Sequence, residues 1–289
     1  MSKADSIFIE NCTDILGSGA RSSDKIRPRW DDGSPATTIK KFGIVNRYNL
    51  AEEFPALTLR PTNFAAAIDE MLWIWQKKSN NVADLNSKIW DAWADESGSI
   101  GKAYGYQLRK RHRYAEGEFD QVDRLLFDLQ NNPESRRMIT NMYNHDELHA
   151  MHLYPCAYMM TFNVTYGGGA DSGAGAEAKK GRLNAILNQR SQDMLVANNW
   201  NVVQYAALIH LLARASGLEA GELVHVIADA HIYDRHVDLT RELISRPTHP
   251  APRFELNPAV TDFYSATAAD FTLLDYVHGD KIIGIPVAV

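Results

Sequence analysis

The sequence predicts an α+β fold, and three observations lead to it. Some segments repeat apolar residues at helical spacing, while others are extended, β-prone runs. The two kinds are mixed along the chain without regular strand–helix–strand alternation. The one long Gly/Ala-rich stretch lies between two strand-like runs, and no internal repeat is present, so a single domain over residues 1–289 is expected.

Taken in order, residues 5–18 predict a short helix, because Ile7, Ile9, Cys12 and Ile15 fall near helical spacing and Gly17 and Gly19 follow. Residues 20–36, "ARSSDKIRPRWDDGSPA", are polar with two prolines and predict a loop carrying Arg21, Arg27 and Arg29. "TTIKKFGIVNRYNL" predicts a strand. From Asn63 to Gln76 the spacing of Phe64, Ile68, Leu72 and Trp75 predicts a helix, with Glu70 as a lone acid whose ordinary place is the solvated edge. "RRMITNMYN" and "YPCAYMMTFNVTY" predict strands, and residues 167–182 a flexible hairpin loop or disordered insertion. Residues 201–217 predict a long helix stopped by Gly217, with Asn201 as its cap. A helix around 235–246 and a Pro-rich turn at 248–252 precede the tail "IIGIPVAV".

Composition narrows the function classes. With 45% hydrophobic and 23% charged residues the chain reads as a soluble globular protein. A net charge of −6 argues against nucleic acid as the main ligand, and no apolar run reaches the length of a membrane span. The N-terminus is too polar for a signal peptide, and two cysteines form neither a disulfide framework nor a metal-type pair. A cytoplasmic protein without a metal is expected.

Cys156, in "LYPCAYMM", is either an inert core thiol or a nucleophile, and a nucleophile needs positive company. Arg190 and Ser191 in "NQRSQD" offer a guanidinium and a hydroxyl, and Arg136 and Arg137 form a second basic pair. Arginine forks match phosphate oxygens, yet adjacent arginines on a strand point to opposite faces. Both reach one anion only from irregular backbone or across a subunit interface. His231 and Tyr233 lie on one side if extended, and read first as a hydrogen-bonded pair at a strand end. The Asn201 amide both donates and accepts, as reading a base edge requires. Taken alone, these spacings imply a possible nucleophile and an anion site, and identify no reaction.

In order, "EMLWIWQ", "IWDAWADESGSIGKAYGYQL", "DQVDRLLFDLQNNPESRRMIT", "YPCAY", "QRSQDM", "NVVQYAALIHLLA", "GELVHVIADAHIYDRH" and the final "PVAV" resemble the folate-dependent, cysteine-nucleophile thymidylate synthases across nearly the whole chain. The details "RWDDGSPA", "WIWQKKSN" and "YPCAY" are most similar to the branch found in some bacilli and their phages. The resemblance implies a large mixed, twisted sheet packed back to back in a homodimer. It implies Cys156 as the nucleophile that adds to C6 of dUMP, with methylenetetrahydrofolate as one-carbon and hydride donor. Arg190, Ser191 and Arg27 match phosphate ligands, Arg29 being the nearby competitor of Arg27. Arg136 and Arg137 match the pair that reaches the neighbouring subunit's phosphate. His231 and Tyr233 match the residues on the sugar 3′-hydroxyl, and Asn201 the reader of the uracil O4 and N3 edge. Glu70, expected to carry a raised pKa, matches the acid that moves protons near O4, and Tyr104 the tyrosine near the nucleophile. Asp193 matches the pterin contact; Trp90, Trp93, Leu153, Ala197 and Trp200 the folate walls; Ala288 and Val289 the closing C-terminus.

Three departures stand out. Ala157 occupies a position where the family often has histidine, a residue that supports water at the base; the named branch also lacks it. "ANNWN", with Ala197, Asn199 and Trp200, replaces Gly-x-Pro-Phe-Asn, and the 167–182 loop is long and expected to lie away from the site. The leading expectation is reductive methylation of dUMP to dTMP. A folate-dependent hydroxymethylase is the alternative; its cytosine-specific type is expected to carry Asp where this chain has Asn201. A noncatalytic nucleotide or RNA binder is disfavoured by the intact set Cys156, Arg190, Glu70, Tyr104 and Asn201.

Overall fold

The computed structural model describes residues 1–167 and 180–288. Most of the Gly/Ala-rich segment and Val289 therefore lie outside the described residues, and with them the expectations placed there. In chain order the elements are α1 (Lys3–Ser18), β1 (Ala20–Arg21), β2 (Thr38–Asn49), α2 (Phe64–Trp75), α3 (Gly105–Leu108), β3 (His112–Tyr114), β4 (Gly117–Phe119), α4 (Gln121–Asn131), β5 (Ile139–Asn141), β6 (Ala157–Thr165), β7 (Arg182–Gln189), β8 (Gln192–Asp193), α5 (Asn198–Ala215), β9 (Glu219–Tyr233), α6 (Val237–Ile244), β10 (Arg253–Leu256) and β11 (Phe271–Leu274). No described helix is long and apolar enough to cross a membrane.

The main sheet is mixed, in the order β1-β2-β9-β7-β6-β5, with β8 also on β9. β7 and β8 run parallel to β9, and the other neighbours are antiparallel. This is the α+β class expected. The alternation of β7 sends Leu183, Ala185, Leu187 and Gln189 into the core and leaves Arg182 and Ile186 outward. α5 covers the inner face against β9 and packs on α2. Trp73, Ile68 and Met71 of α2 are among the fully enclosed side chains, and each such burial contributes about 1.5–3 kcal/mol. A second apolar cluster joins Phe8, Cys12 and Ile15 of α1 to Ile227, Ala230 and Ile232 of β9 and Leu243 of α6.

Gly217 ends α5 as expected, and the reason is conformational. Its φ is +70°, and with the chain turned there, Leu218 N–H reaches back to the Ala213 carbonyl at 2.8 Å. Two expectations fail. "RRMITNMYN" contains a strand only at Ile139–Asn141, an edge strand paired on one side, with Arg136 and Arg137 in the loop before it. Asn201 is not a cap. α5 begins at Asn198 after Ala197, and Asn201 N–H already bonds the Ala197 carbonyl at 3.0 Å, so the side chain is free for other partners.

One consequence of packing concerns acid stability. His210, on α5, packs against the ring of Phe254, which itself stacks on Phe54, and its buried Nε2 has no partner among the described residues. Burial, helped by the Arg214 charge, pushes its pKa down to about 4. The unfolded chain then takes up a proton near pH 6.5 that the folded chain refuses, so this histidine costs stability as pH falls from 6.5 toward 4. His210→Phe is expected to gain roughly 1–2 kcal/mol of stability relative to wild type at pH 5. Urea denaturation at pH 5 and pH 7.5 checks this, and a gain no larger at the lower pH would contradict it.

Candidate active site

The end of β6, the turn after β7, the start of α5 and the buried face of α2 meet at Cys156. Cys156 sits just before β6, and Arg190 N–H bonds its carbonyl at 2.9 Å, which pins the two strand ends together. The Arg190 guanidinium donates to the carbonyls of Pro155 (3.0 Å) and Tyr154 (2.7 Å) and approaches Cys156 Sγ at 3.5 Å. Burial pushes the Cys156 thiol up, while the charges of Arg190 and Arg27 pull it down; burial prevails, so the resting residue is a thiol with cations poised to favour the thiolate. Arg27, from the loop before β2, is near enough for its charge to pull the Cys156 thiol and the Tyr233 phenol down.

Tyr104 holds Cys156 by its backbone. Its hydroxyl accepts the Cys156 backbone N–H at 3.1 Å, and the ring is buried against Trp90. Its backbone has φ +47° and ψ −110°, a conformation that side-chain-bearing residues rarely adopt and that persists where surrounding contacts impose it. Burial raises the phenol pKa well above its ordinary value, and the nearby Cys156 acts in the same direction.

Glu70 is not at a solvated edge. It is buried on α2, and three N–H groups converge on its carboxylate. Trp90 Nε1 donates to Oε1 at 2.6 Å, and Gln204 Nε2 (2.7 Å) and Trp200 Nε1 donate to Oε2. Burial raises its pKa; the three donors oppose that rise and Asp69 adds to it, with a net upward direction. Gln204 also accepts from Asn201 Nδ2 at 3.3 Å, and Asn201 Oδ1 accepts from Gln189 Nε2 at 3.1 Å. Gln204, Gln189 and His225, which lies behind Gln189, were missed in the sequence; nothing in their spacing marks them, because their partners are remote in the chain. Ala157, at the position where the family often carries histidine, is buried in the core.

At the far end of β9, His231 Nδ1 pairs with Asp229 Oδ1 at 2.9 Å, and the His231 and Tyr233 rings meet edge-on at 5.1 Å. Burial pushes Asp229 up, but the hydrogen bonds from His231 and Lys40 outweigh it and hold its carboxyl below the usual range. Asp193, on β8, accepts from the N–H groups of Leu195 and Val196, both at 3.0 Å. Wholly buried His236 lies 3.8 Å from Asp193 and bonds the Pro286 carbonyl at 2.7 Å, which moors the C-terminal segment carrying Ala288 beside the site. Leu153, Trp93 and Trp200 are partly buried and pack on the core, Trp93 edge-on to Trp90 at 5.6 Å. Ser191, next to Arg190, and Ala197, just before α5, are half-buried. Arg136 and Arg137 are not gathered in. Both are exposed, and neither side chain has an ion-pair or hydrogen-bond partner among the described residues.

A thiol beside a guanidinium, a buried acid among indoles and an oriented amide form a site for covalent attack on a polar ring. The family model for thymidylate synthase matches residues 6–289. The chain belongs to the thymidylate synthase family. It is 41% identical to thymidylate synthase 1 of Bacillus subtilis (strain 168) and 40% identical to the thymidylate synthase of Bacillus phage phi3T, each over 98% of both chains. Its fold superposes on the solved structure of thermostable thymidylate synthase A from Bacillus subtilis with a TM-score of 0.90, at 39% identity and complete coverage of both chains. These relatives lie in the bacillus and phage branch to which the sequence motifs are most similar. Membership places the chain among methyltransferases that use dUMP and methylenetetrahydrofolate.

Proposed function

We propose that this protein catalyses the reductive methylation of dUMP to dTMP, with methylenetetrahydrofolate as the donor of both carbon and hydride. The observation that carries the reading is the convergence of Cys156, Arg190, Tyr104 and the Glu70–Gln204–Asn201 chain in one site. Cys156 Sγ bonds to C6 of the uracil ring, and the electron pair displaced to C5 lets that carbon attack the methylene group. Arg190, Ser191 and Arg27 hold the phosphate, His231 and Tyr233 the sugar, and Asn201 the base edge. Glu70, with a pKa raised by burial, handles protons at O4, and Tyr104 assists removal of the C5 proton. Trp90, Trp93, Leu153, Ala197 and Trp200 form the apolar wall for the folate and Asp193 meets its pterin. Ala288, with Val289, closes over the site and excludes water. The hydroxymethylase alternative has no support from the names of the relatives.

Mixing the protein with dUMP and methylenetetrahydrofolate, following dihydrofolate by absorbance and identifying the nucleotide by mass tests the reading. A hydroxymethylated product without dihydrofolate would sink it.

The protein works as a cytoplasmic homodimer in this reading, with Arg136 and Arg137 completing the neighbour's phosphate site. Support comes from the outer sheet face. The ladder aligns Arg47, Val224, Ile186, Thr161 and Ile139 in one row, with Val45, Val226, Asn188 and Met159 in the next. Ile139, Ile186 and Val45 are 52%, 39% and 55% exposed, an apolar face suited to burial against a second copy. The exposed, unpaired arginines fit the same picture, since a charge without an internal partner is free to serve another subunit. Mixing inactive Cys156→Ala protein with an inactive Arg136→Ala/Arg137→Ala protein, after subunit exchange, is expected to restore activity, because one mixed site carries both sets intact. No recovery in verified heterodimers would refute the shared site.

A further inference from the structure

Asn201 is held from two sides, and each side can be oriented independently. Gln189 Nε2 donates to Asn201 Oδ1 at 3.1 Å and to the Ser191 carbonyl at 3.0 Å. A backbone carbonyl only accepts, so Ser191 decides which end of the Gln189 amide is nitrogen. Gln189 Oε1 must then face His225 Nε2, 2.8 Å away, and that nitrogen must carry the proton. The remaining ring nitrogen, Nδ1, is buried with no partner among the described residues, as suits the bare nitrogen of a neutral imidazole. On the other side, Gln204 Nε2 uses its two hydrogens on the Ala67 carbonyl (3.1 Å) and Glu70 (2.7 Å), so its oxygen accepts from Asn201 Nδ2. Both routes give the same answer: Oδ1 toward Gln189, Nδ2 toward Gln204. One N–H and one lone pair of Asn201 remain for a ligand.

This orientation has chemical consequences. Uracil presents an acceptor, O4, beside a donor, N3–H. Cytosine presents a donor, the 4-amino group, beside an acceptor, N3. The two edges differ by exchange of donor and acceptor, which a half-turn of the asparagine amide would match. A locked amide suits one base; a free one suits both.

We propose that His225 is a positioning residue for base selection: acting through Gln189, it locks the Asn201 amide in one orientation and so excludes cytosine nucleotides. The proposal rests on the reading of Asn201 as the base-edge contact. His225 is 0% exposed and Gln189 2% exposed, so water cannot replace the bond between them. On β9 it stands opposite Asn46 of β2 and Leu187 of β7, with no acid or base paired to it there. Burial pushes the imidazole pKa down to about 3, which keeps it a neutral donor throughout the working range. Without that donor Gln189 Oε1 is left buried and unsatisfied, and the reversed arrangement of the amides gains population.

The test is the ratio of kcat/KM for dUMP to that for dCMP in wild type, His225→Phe and His225→Gln, with the Tm of each. Phenylalanine keeps the ring and removes the donor; glutamine returns an N–H near the Nε2 position. The ratio is expected to fall about tenfold in His225→Phe and to recover in His225→Gln. A ratio within about twofold of wild type in His225→Phe, whatever happens to Tm or to total activity, overturns the proposal. If His225→Phe does not fold, His225→Asn replaces it, since its amide reaches only the Nδ1 position and the same fall is expected. Wild-type protein that turns over neither nucleotide would defeat the function proposed above. The His225 assignment would still be decided by the ratio of dUMP to dCMP dissociation constants in the same variants.

Discussion

Cys156→Ala is expected to lower dTMP formation by at least about 10⁴-fold while dUMP binding persists. The reaction needs a soft nucleophile at C6, and no second thiol can substitute, because Cys12 is wholly buried in the cluster between α1 and β9. The proposed phosphate contacts are untouched by the change. Arg190 is held by the carbonyls of Pro155 and Tyr154, and the Cys156 backbone N–H still meets Tyr104. Initial rates of dihydrofolate formation and calorimetric titration with dUMP check both halves. A variant that keeps a tenth of the wild-type rate would remove Cys156 from the mechanism.

Glu70→Gln is expected to cost roughly 10²–10⁴-fold in kcat, the usual worth of a positioned acid–base group. Shape is conserved, but function and bonding are not. Trp90, Trp200 and Gln204 all donate to the carboxylate, so the new amide N–H₂ must confront at least one donor. The wild-type pH profile of kcat/KM is expected to show a limb above the ordinary carboxylate range, because burial raises this pKa, and the variant should lack it. An unchanged limb in an active Glu70→Gln protein would assign that titration to another group.

Glu70 also marks the boundary of what was legible. On a helix read by period alone, a lone acid belongs at the wet edge. The structure buries it because its partners come from 20, 130 and 134 residues away in the chain. Asn201 was misread for a related reason. Asn is a good cap, but the helix starts earlier, where Asn199 is tied to Thr62 and Arg60 across the core. The predicted strand around Ile139 is short because an edge strand is stabilised from one side only. Gln204, whose amide bridges Asn201 and Glu70 directly, carries no mark in the sequence because Glu70 lies 134 residues away in the chain.

By itself the sequence determined the α+β class, the helices α2 and α5, the strand β2, the stop at Gly217 and, through ordered motifs, the family. These rest on local periodicity, backbone preference and residue identity, which neighbours in the chain settle. Only the tertiary structure decided the burial of Glu70 that raises its pKa, the orientation of Asn201, the tether from Tyr104 to Cys156 and the place of His225 behind them. Each depends on which distant polar groups share a dry interior, where every donor must find an acceptor and a single carbonyl can set the direction of a whole chain of amides.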